Sequence, residues 1–377
     1  MRIALVYDCV YPESLGGVEH RNYQLARALG ARGHHVALVG WASAAGSPAP
    51  GVEVLPLPGR GATHDSSGRR RLGHSLRLAR AMLALPLRDF DVVETANIPY
   101  AHLVPLAVRC ALARRPLVVT WYEMWGRYWR EYVGAPWPLF AAAEWLAAQL
   151  ARTAVAVSPL TERRLRGIRL RGRTLASTIG VPVAAVRAAA GPAAPGPPLV
   201  YAGRLIAEKR VDLLLRAVAH LPRGRGPLLA VVGDGPEREP LGRLAAELGI
   251  TEDVVFRGFL PAPEDVWRQL GAARIAVQPS RREGFGMFPL EAMAAGLPVV
   301  YCQSSESAVP GLVRHGVEGL EVEPRPEALA AALERLLTDA GECRRLAEAA
   351  ARRGAEHDWG EVARAEEERF AAAVARA

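Results

Sequence analysis

Short apolar runs alternate with amphipathic helical patterns along this chain, and the alternation occurs twice. Residues 2–8 form an apolar run that leads through a glycine-rich turn into a helical pattern at 18–29. Residues 199–203 and 211–221 repeat that order in the second half. Strands that alternate with helices are typical of a parallel, doubly wound sheet. The sequence therefore predicts an α/β fold with two such sheets, each in its own domain.

A stretch rich in proline and glycine separates the two halves. Residues 188–198 lack any helical or strand periodicity, which is typical of a linker. We predict a first domain at 1–185, a linker at 186–198 and a second domain at 199–355. We expect residues 356–377 to form a helix that packs back on the first domain. The predicted strands are residues 2–8, 35–40, 52–55, 91–95, 117–120, 153–158, 199–203, 228–233, 254–257, 275–279 and 298–302.

The composition excludes several classes of protein. The chain has 377 residues and is 50% hydrophobic, enough for a core in each of two domains. Its four cysteines are scattered without a CxxC pair or neighbouring histidines, which argues against a disulfide framework or a structural zinc site. No apolar run is long enough to span a membrane, and no secretory signal is evident at the N-terminus. We therefore expect a reduced, cytoplasmic compartment.

The basic residues are concentrated in two runs. The formal net charge is +8, and the runs lie at residues 69–71 and 163–173. Such runs suit an anionic membrane surface, an acidic acceptor or nucleic acid, although a solvated surface is their ordinary role. No aromatic residues interleave with them as in a nucleic-acid platform. We expect no nucleic-acid partner, and peripheral membrane contact stays open.

A glycine-rich loop with two glutamates carries the strongest chemical signal. Glu283 and Glu291 flank a loop that follows the predicted strand at 275–279. Gly284 and Gly286 let the backbone approach a ligand closely. A helix begins next, and the free backbone N–H groups in its first turn, with the helix dipole behind them, form an anion site that suits a diphosphate.

These motifs resemble those of the retaining glycosyltransferases of family four. Glu283 and Glu291 match the family's pair of glutamates separated by seven residues. Matching segments also lie at 16–17, 203–209, 232–236 and 257–259, in the family's order and over nearly the whole chain. The resemblance implies a GT-B fold, in which two Rossmann-like domains face a central cleft.

By this resemblance, three side chains are catalytic. Arg204 and Lys209 would hold the donor diphosphate, and Glu283 would bind hydroxyl groups of the donor sugar. Glu291 would accept hydrogen bonds from the ribose. The further donor-binding positions that the resemblance implies are Gly16, Gly17, Gly203, Gly233, Arg257, Gly258, Phe259, Gly284, Phe285, Gly286, Met287 and Phe288.

Simpler roles are open to several of these residues. Arg204 and Lys209 could be surface cations paired with Glu208 and Asp212. Glu291 could be a first-turn carboxylate favoured by the helix dipole. The segment at 233–235 could be only a turn from a strand to a helix.

The sequence departs from the family where relatives place a histidine that reaches the donor sugar. Tyr122 stands there, and tyrosine donates a hydrogen bond but is no base at neutral pH. The aromatic stretch at 121–137 is a candidate acceptor wall, and packing aromatics are the equal alternative. The acceptor-side residues that we predict are Glu94, Asn97, Tyr122, Glu123 and Trp125, with Thr95 beside them. We expect a mobile, acceptor-facing loop at 59–73.

No metal or cofactor is expected. Asp89 and Asp91 form a D-x-D pair, but they precede a strand, at the wrong end of the sheet for a cleft. No GxGxxG follows the first strand, which disfavours a dinucleotide site. His20 and His102 lie near strand ends, where a lone histidine is more often structural.

The leading hypothesis is therefore a retaining, metal-independent glycosyltransferase. Its donor would be a nucleotide sugar with UDP or GDP, and its acceptor a small molecule, natural product, glycan or lipid-linked group. A GT-B sugar-nucleotide epimerase is an alternative, although it would need proton-transferring groups around the sugar that the histidine-poor cleft lacks. A non-catalytic nucleotide-sugar-binding module is another, supported by the basic runs alone. The oligomeric state is left open by the sequence.

Overall fold

The chain forms two compact units. The computed structural model describes residues 1–14, 16–57, 72–168, 172–191, 195–222 and 226–377. The first unit comprises Met1–Gly180 and Trp359–Ala377, and the second comprises Val181–Asp358. The boundary between the units, after Gly180, lies a few residues before the predicted end of the first domain at 185. The reason is that the helix at Val183–Ala189 belongs to the second unit. Most of the predicted loop at 59–73, the basic run at 69–71 and residues 169–171 of the other run lie outside the described residues.

The first unit is built on a mostly parallel sheet. Its order, among the described residues, is β3-β4-β2-β1-β5-β6-β7-β8, and only the edge pair β3–β4 is antiparallel. The strands are β1 (Arg2–Cys9), β2 (His35–Trp41), β3 (Gly46–Ala49), β4 (Val52–Pro56), β5 (Val92–Ala96), β6 (Leu117–Trp121), β7 (Thr153–Ala156) and β8 (Arg173–Ala176).

Helices cover this sheet because their apolar residues recur at helical spacing. The helices are α1 (Gly17–Ala31), α2 (Leu72–Ala81), α3 (Leu103–Leu112), α4 (Trp129–Val133), α5 (Trp137–Leu150), α6 (Pro159–Gly167) and, at the C-terminus, α15 (Trp359–Val374). In α1, Leu25, Ala26 and Leu29 are buried, as their spacing predicts. Helix α15 packs against α1 and β5 within the first unit.

The second unit has an entirely parallel sheet. In the part of it that the structure describes, the order is β11-β10-β9-β12-β13-β14. The strands are β9 (Leu199–Ala202), β10 (Leu229–Val232), β11 (Val254–Gly258), β12 (Ile275–Gln278), β13 (Val299–Cys302) and β14 (Gly319–Val322). The winding starts at β9, runs outward to β11, and then restarts on the other side at β12. The two doubly wound parallel sheets that the sequence predicts are thus confirmed.

Helices on the second sheet enclose its core. They are α7 (Val183–Ala189), α8 (Val211–Val218), α9 (Arg238–Glu247), α10 (Pro263–Ala272), α11 (Met287–Ala294), α12 (Val309–Leu312), α13 (Pro326–Thr338) and α14 (Ala340–Ala355). Val211, Leu214 and Val218 of α8 are buried on one face, as predicted, and pack with Leu199 and Val231 of the sheet. This packing fixes the start of each helix close to the end of the preceding strand.

Three short strands were not predicted. All three lie at sheet edges: β3 is an antiparallel addition, and β8 and β14 each close one side. An edge strand has a single hydrogen-bonded neighbour and exposes part of its surface, so it needs no continuous apolar run. The residues of β3, for example, are largely exposed. The periodicity that identifies the central strands is therefore absent from these edges.

Candidate functional site

The candidate site lies where the strand order of the second sheet reverses. Strands β9 and β12 are hydrogen-bonded neighbours, with Leu199 opposite Ile275 and Val200 opposite Ala276. Their carboxyl ends lead into the loops that begin at Gly203 and Pro279. Open α/β sheets bind ligands in the crevice beyond the strand ends at such a reversal. Both predicted motifs, 203–209 and 283–291, follow these two strands.

Glu283 is the centre of the polar contacts in this site. Its Oε1 accepts from Nζ of Lys209 in an ion pair and from Nε2 of Gln278. The Lys209 and Glu283 side chains are 19% and 12% exposed, so solvent reaches both. The backbone N–H of Arg281 donates to the carbonyl of Glu208 at 2.9 Å and ties the two loops together. The fold thus joins segments that are 74 residues apart.

The surface-cation interpretation of Lys209 is wrong about Asp212 as a partner. Asp212 pairs with Arg210, whose Nε lies 3.0 Å from Asp212 Oδ1, whereas Lys209 pairs with Glu283. Lys209 lies in a short 3₁₀ turn at Ala207–Lys209 that follows the strand β9. The cation is therefore directed at the glutamate loop.

Arg204 lies on the exposed side of the same loop. The Tyr201 hydroxyl donates to the Arg204 carbonyl at 3.3 Å, which fixes the backbone there. Burial and the Glu283 carboxylate raise the pKa of Tyr201 above its ordinary value, and the Arg204 guanidinium opposes that rise. Both charged groups thus act on one hydroxyl. Of the three residues predicted as catalytic, the structure pairs Lys209 with Glu283 and places Arg204 on the same loop as Lys209.

Helix α11 begins at the other side of this loop with its backbone available to a ligand. Gly286, just before the helix, has φ +104° and ψ 62°, a conformation that favours glycine. The rings of Phe285 and Phe288 are buried, and Phe288 packs against Tyr201 with ring centroids 5.9 Å apart. The N–H groups of Met287 and Phe288 have no acceptor within the helix. The hydrogen-bond donors at the start of this helix are therefore backbone N–H groups, while the aromatic rings pack in the interior.

Glu291 is not a first-turn carboxylate, so that interpretation is wrong. It lies in the second turn of α11, and its Oε1 accepts from the indole Nε1 of Trp267 at 3.2 Å. Burial raises the pKa of Glu291 to about 7, and the hydrogen bond from Trp267 opposes that rise. Trp267 was not predicted as a site residue. Only the packing of α10 against α11 brings it to Glu291.

The glycines at the ends of β9, β10 and β11 let three loops approach one another. The N–H of Gly233 donates to the carbonyl of Gly258 at 2.8 Å. A Cβ at Gly233 would lie 1.9 Å from the carbonyl oxygen of Gly203, so only glycine fits there. Arg257 is exposed, and 58% of Phe259 is exposed. The packing alone explains Gly233, while the exposed Phe259 ring is available for a ligand.

In the first unit, the Gly16–Gly17 turn starts helix α1. A Cβ at Gly16 would lie 2.2 Å from Oε2 of Glu19, whose carboxylate folds over this turn. The Ser14 hydroxyl donates to Glu19 Oε1 at 2.7 Å. Glu19 was missed by the sequence interpretation, although a glutamate three residues after the residue that caps a helix is the signal for such a contact. A Cβ at Gly17 would meet nothing within 4 Å, so its surroundings are open.

The structure buries two of the predicted acceptor-side residues instead of exposing them. Glu94 is 2% exposed, forms an ion pair with Arg21 of α1, and accepts from the Thr120 hydroxyl at 2.6 Å. Asn97 is also buried, and its side chain donates to the carbonyl of Glu123 at 3.2 Å. These contacts stabilise the first unit. As a correction to the prediction, neither side chain lines an open wall.

Tyr122 turns its hydroxyl inward. The hydroxyl oxygen is buried and has no hydrogen-bond partner among the residues that the structure describes. Burial raises the pKa of Tyr122 above its ordinary value, the Arg21 guanidinium opposes the rise, and Glu94 adds to it. The hydroxyl therefore lies within electrostatic range of the buried ion pair of Arg21 and Glu94. Its predicted acceptor role has no contact in this structure to support it.

The aromatic stretch packs largely on itself. Trp121 and Trp129 are buried, and Trp125 lies 4.5 Å from Trp129 between ring centroids. The backbone N–H of Trp125 donates to Oε1 of Glu144, on α5, at 2.7 Å. Packing accounts for the two buried tryptophans, whereas the half-buried Trp125 stays a predicted acceptor-side residue. His102, also noted in the sequence, is buried and bonded to the Thr95 hydroxyl at 2.8 Å.

The described residues contain no group of three or more His, Cys, Asp and Glu side chains that could hold a metal ion. Asp91, of the D-x-D pair, accepts from the backbone N–H of Arg2 at 2.8 Å. This bond supports the start of β1 and explains the aspartate structurally.

Two protein-family models match consecutive parts of the chain. "Glycosyltransferase Family 4" matches residues 15–175, and "Glycosyl transferases group 1" matches residues 185–353. The D-inositol 3-phosphate glycosyltransferase of Thermobispora bispora is 36% identical over 195 residues, 48% of this chain and 44% of that protein. The chain spans less than half the length of the curated relatives that it matches first.

Solved structures with the same fold cover nearly the whole chain. Sucrose-phosphate synthase from Thermosynechococcus elongatus has a TM-score of 0.82 at 22% identity, over 100% of both chains. HepE from Anabaena, in complex with UDP and glucose, has a TM-score of 0.71 at 21% identity, over 99% of this chain and 100% of that chain. At these identities the similarity establishes the fold. With both family models matched in order, the chain belongs to glycosyltransferase family 4, with the GT-B fold.

Proposed function

We propose that this protein is a retaining, metal-independent glycosyltransferase. It moves a hexose-type sugar from a UDP- or GDP-sugar to a hydroxyl group of a small-molecule, natural-product, glycan or lipid-linked acceptor. The observation that carries the proposal is the ion pair of Lys209 and Glu283 at the reversal between β9 and β12, with the exposed Arg204 on the same loop as Lys209. Family membership supports it, as do the activity for which the inositol phosphate relative is named and the UDP and glucose in complex with HepE.

The cations of the site suit the diphosphate of the donor. Negative charge grows on the leaving phosphate as the bond to the sugar breaks, and cations fixed nearby stabilise that charge. Arg204 and Lys209 supply two positive charges, and the N–H groups of Met287 and Phe288 supply uncharged donors. Arginine also binds phosphate oxygens in a two-pronged geometry. The chain's own groups can therefore stabilise the leaving group, which is why we propose a reaction without a metal.

Glu283 and Glu291 suit the hydroxyl groups at the two ends of the donor. In the ligand-free protein, Lys209 and Gln278 occupy one oxygen of Glu283. When a donor binds, the phosphate would compete for Lys209 and release that oxygen to a sugar hydroxyl. Trp267 holds one oxygen of Glu291, which leaves the other for the ribose. Both carboxylates act as acceptors that orient the donor.

Retention follows from the proposed proton path. In a front-face substitution, the acceptor hydroxyl attacks on the side that the leaving phosphate vacates, and a phosphate oxygen takes its proton. The acceptor oxygen forms the new glycosidic bond as the bond from the sugar to the phosphate breaks, so the nucleoside diphosphate leaves with the proton. No carboxylate nucleophile is needed, in contrast to a double displacement.

The neutralisation of Arg204 tests the proposal. Arg204→Ala should lower kcat about 100- to 1,000-fold, the usual loss when one group that stabilises transition-state charge is removed. Arg216→Ala is the matched control, because Arg216 is an exposed arginine of α8 in the same unit. Turnover is measured with a panel of UDP- and GDP-sugars in EDTA, and the anomeric configuration of the product by NMR.

Four outcomes of that assay would contradict the proposal. Equal turnover of Arg204→Ala and Arg216→Ala would remove the role of Arg204. An inverted product, or activity lost in EDTA and restored by a divalent metal, would overturn retention or metal independence. Release of an altered sugar nucleotide without any acceptor would identify an epimerase instead.

A further inference from the structure

Helices α2, α3 and α5 expose large apolar side chains on the outside of the first unit. All three bury their inner residues in the same core cluster, among them Leu78, Leu106 and Ala148. They therefore cover the same face of the sheet, and their outer sides point the same way. Helix α3 packs against both α2 and α5, so their outer sides form one surface. We call it the α2–α3–α5 face.

Helix α5 has an outer side without a charged group. Leu139 is 73% exposed, and Phe140, Trp145 and Leu146 are also exposed. The single charged residue of the helix, Glu144, is buried and accepts from the N–H groups of Trp125 and Gly126. A helix that is apolar all round normally lies inside a protein or a membrane. On α5 the outer side has no cover among the described residues of the chain.

Helices α3 and α2 continue the same surface. Val104, Val108 and Leu112 are exposed at intervals of four residues, so they form one stripe along α3, and Leu112 is 82% exposed. On α2, next to α3, Leu76 is exposed, and so is Leu83 in the short turn that follows α2. Neighbouring exposed apolar side chains that form one patch on a soluble protein mark an interaction site.

The charges on the α2–α3–α5 face have one sign. Arg77 and Arg80 are exposed on α2, beside Leu76, and Arg114 is exposed just after α3. The three helices carry no carboxylate other than the buried Glu144. Long apolar side chains with interspersed arginines match the interfacial region of an anionic bilayer, where acyl chains lie below phosphate groups. A tryptophan such as Trp145 is favoured at that depth.

We propose that the α2–α3–α5 face docks on the surface of an anionic lipid bilayer. The helices lie on the bilayer and do not cross it: α5 has 14 residues, and no helix in the described chain is long and apolar enough to span a membrane. A second copy of the chain fits the face less well, because in a two-fold contact the face meets itself, and its three helices offer no exposed carboxylate to the arginines. The proposal does not depend on the proposed function.

Sedimentation with lipid vesicles tests the docking. The full chain is mixed with vesicles of phosphatidylcholine, with or without phosphatidylglycerol, and no sugar nucleotide is present. We expect binding to the anionic vesicles that weakens as salt is added, and at most weak binding to phosphatidylcholine. The variant L139E/W145E should lose the binding. R77Q/R80Q/R114Q should weaken it about fivefold for each arginine removed.

Matched controls separate docking from misfolding. Val317→Glu places a charge on an exposed apolar residue of the second unit and should bind like the wild type. Circular dichroism checks that L139E/W145E is folded. Equal binding to both kinds of vesicle, no binding to either, or full binding by folded L139E/W145E would overturn the proposal. So would dimerisation without vesicle binding that L139E/W145E abolishes, since the face would then be a self-association interface.

Discussion

Each unit of the molecule holds an ion pair close to its central strands, but the two pairs differ in access. In the first unit, Arg21 and Glu94 are buried, and Glu366 of α15 lies 3.8 Å from Arg21. In the second unit, Lys209 and Glu283 are partly exposed. Both pairs join a cation near the start of a helix to a glutamate near a strand. Sequence position alone therefore does not separate a structural charge pair from a ligand site.

The difference lies in what else each carboxylate contacts. Glu366 also accepts from the Ser177 hydroxyl, and it lies 2.9 Å from Arg369, so the buried cluster is closed by α15. Burial alone would lower the pKa of Arg21, but Glu94 and Glu366 raise it, so the guanidinium stays charged. Among the described residues, no helix covers the Lys209–Glu283 pair of the second unit in this way, and both of its side chains are partly exposed. A ligand can replace partners in the second cluster only.

The largest predicted effect is on the buried cluster. Arg21→Met should lower the free energy of unfolding by about 3–5 kcal/mol, because it leaves Glu94 and Glu366 without their shared cation. Arg364→Ala is the control, since Arg364 forms exposed ion pairs on α15 that are each worth below about 1 kcal/mol. Urea unfolding measures both. A loss below about 1 kcal/mol for Arg21→Met would show that the buried cluster contributes no more to the free energy of unfolding than an exposed ion pair does.

The open cluster should respond in turnover rather than in stability. Lys209→Gln should lower kcat about 100-fold or more, because it removes a cation from the diphosphate. The free energy of unfolding should change by about 1 kcal/mol or less, since the pair is partly solvated. Arg210→Gln, at the neighbouring cation that pairs with Asp212, is the control and should keep its turnover. Similar losses of kcat in both variants would contradict a specific role for Lys209.

Glu291 should make donor binding depend on pH. Its pKa lies at about 7, above the ordinary value of 4.5, and only the ionised carboxylate accepts two hydrogen bonds fully. The Kd for a nucleotide sugar should therefore rise as the pH falls through 7. Trp267→Phe should shift this midpoint upward, since it removes a hydrogen bond that favours ionisation. Calorimetry with a nucleotide sugar measures this Kd. A nucleoside diphosphate is less suitable, because its free terminal phosphate itself titrates near pH 6, about one unit below the pKa of Glu291.

Stability should show the opposite dependence at the same residue. Because the pKa is higher in the folded state, Glu291 contributes stability that is full below about pH 4.5 and is lost as the pH rises through about 7. Glu291→Gln should remove this contribution and the pH dependence of binding together. A wild-type Kd that is constant between pH 6 and 8, about one unit either side of that pKa, would refute the assignment.

The smallest effect is expected at Tyr122. Tyr122→Phe removes a buried hydroxyl that has no hydrogen-bond partner among the described residues. The free energy of unfolding should stay within about 1 kcal/mol or rise, because no bond is lost and a buried polar group is removed. Tyr100→Phe is the control, since that hydroxyl donates to Glu144 at 2.8 Å and its loss should destabilise the protein. A loss as large as that of Tyr100→Phe would contradict the absence of a partner within the chain, and a large fall in kcat would reveal a partner supplied by a ligand.

The central strands and the donor loops were predictable because their signals are local. The strands β1, β9 and β12 are continuous apolar runs, and glycines mark the loops that follow them. The strand order of the second sheet makes β9 and β12 neighbours, so Arg204 and Glu283 follow the carboxyl ends of adjacent strands. The edge strands and Trp267 were not predictable, because their positions depend on tertiary packing.

The buried cluster left a weaker signal in the sequence. Arg21 lies on the face of α1 that Leu25 and Leu29 share, and Glu366 lies on the face of α15 that Phe370 shares. A charged residue on an otherwise apolar helix face indicates a buried partner of opposite charge. The sequence does not say which helices meet, because Arg21 and Glu366 lie near opposite ends of the chain. Glu94 was therefore predicted as an acceptor-side residue, although its partner is Arg21 of α1.

The most direct test of the account is calorimetric titration of the full chain with UDP, GDP, ADP and their glucose or mannose conjugates, in EDTA. We expect one base to bind, with affinity reduced in Lys209→Gln and Glu291→Gln and unchanged in Arg216→Ala and Arg21→Met at temperatures where the latter is folded. Such a result would place the ligand at the open cluster. Binding of none of them, or equal loss in Arg216→Ala and Lys209→Gln, would contradict a donor site at the junction of β9 and β12.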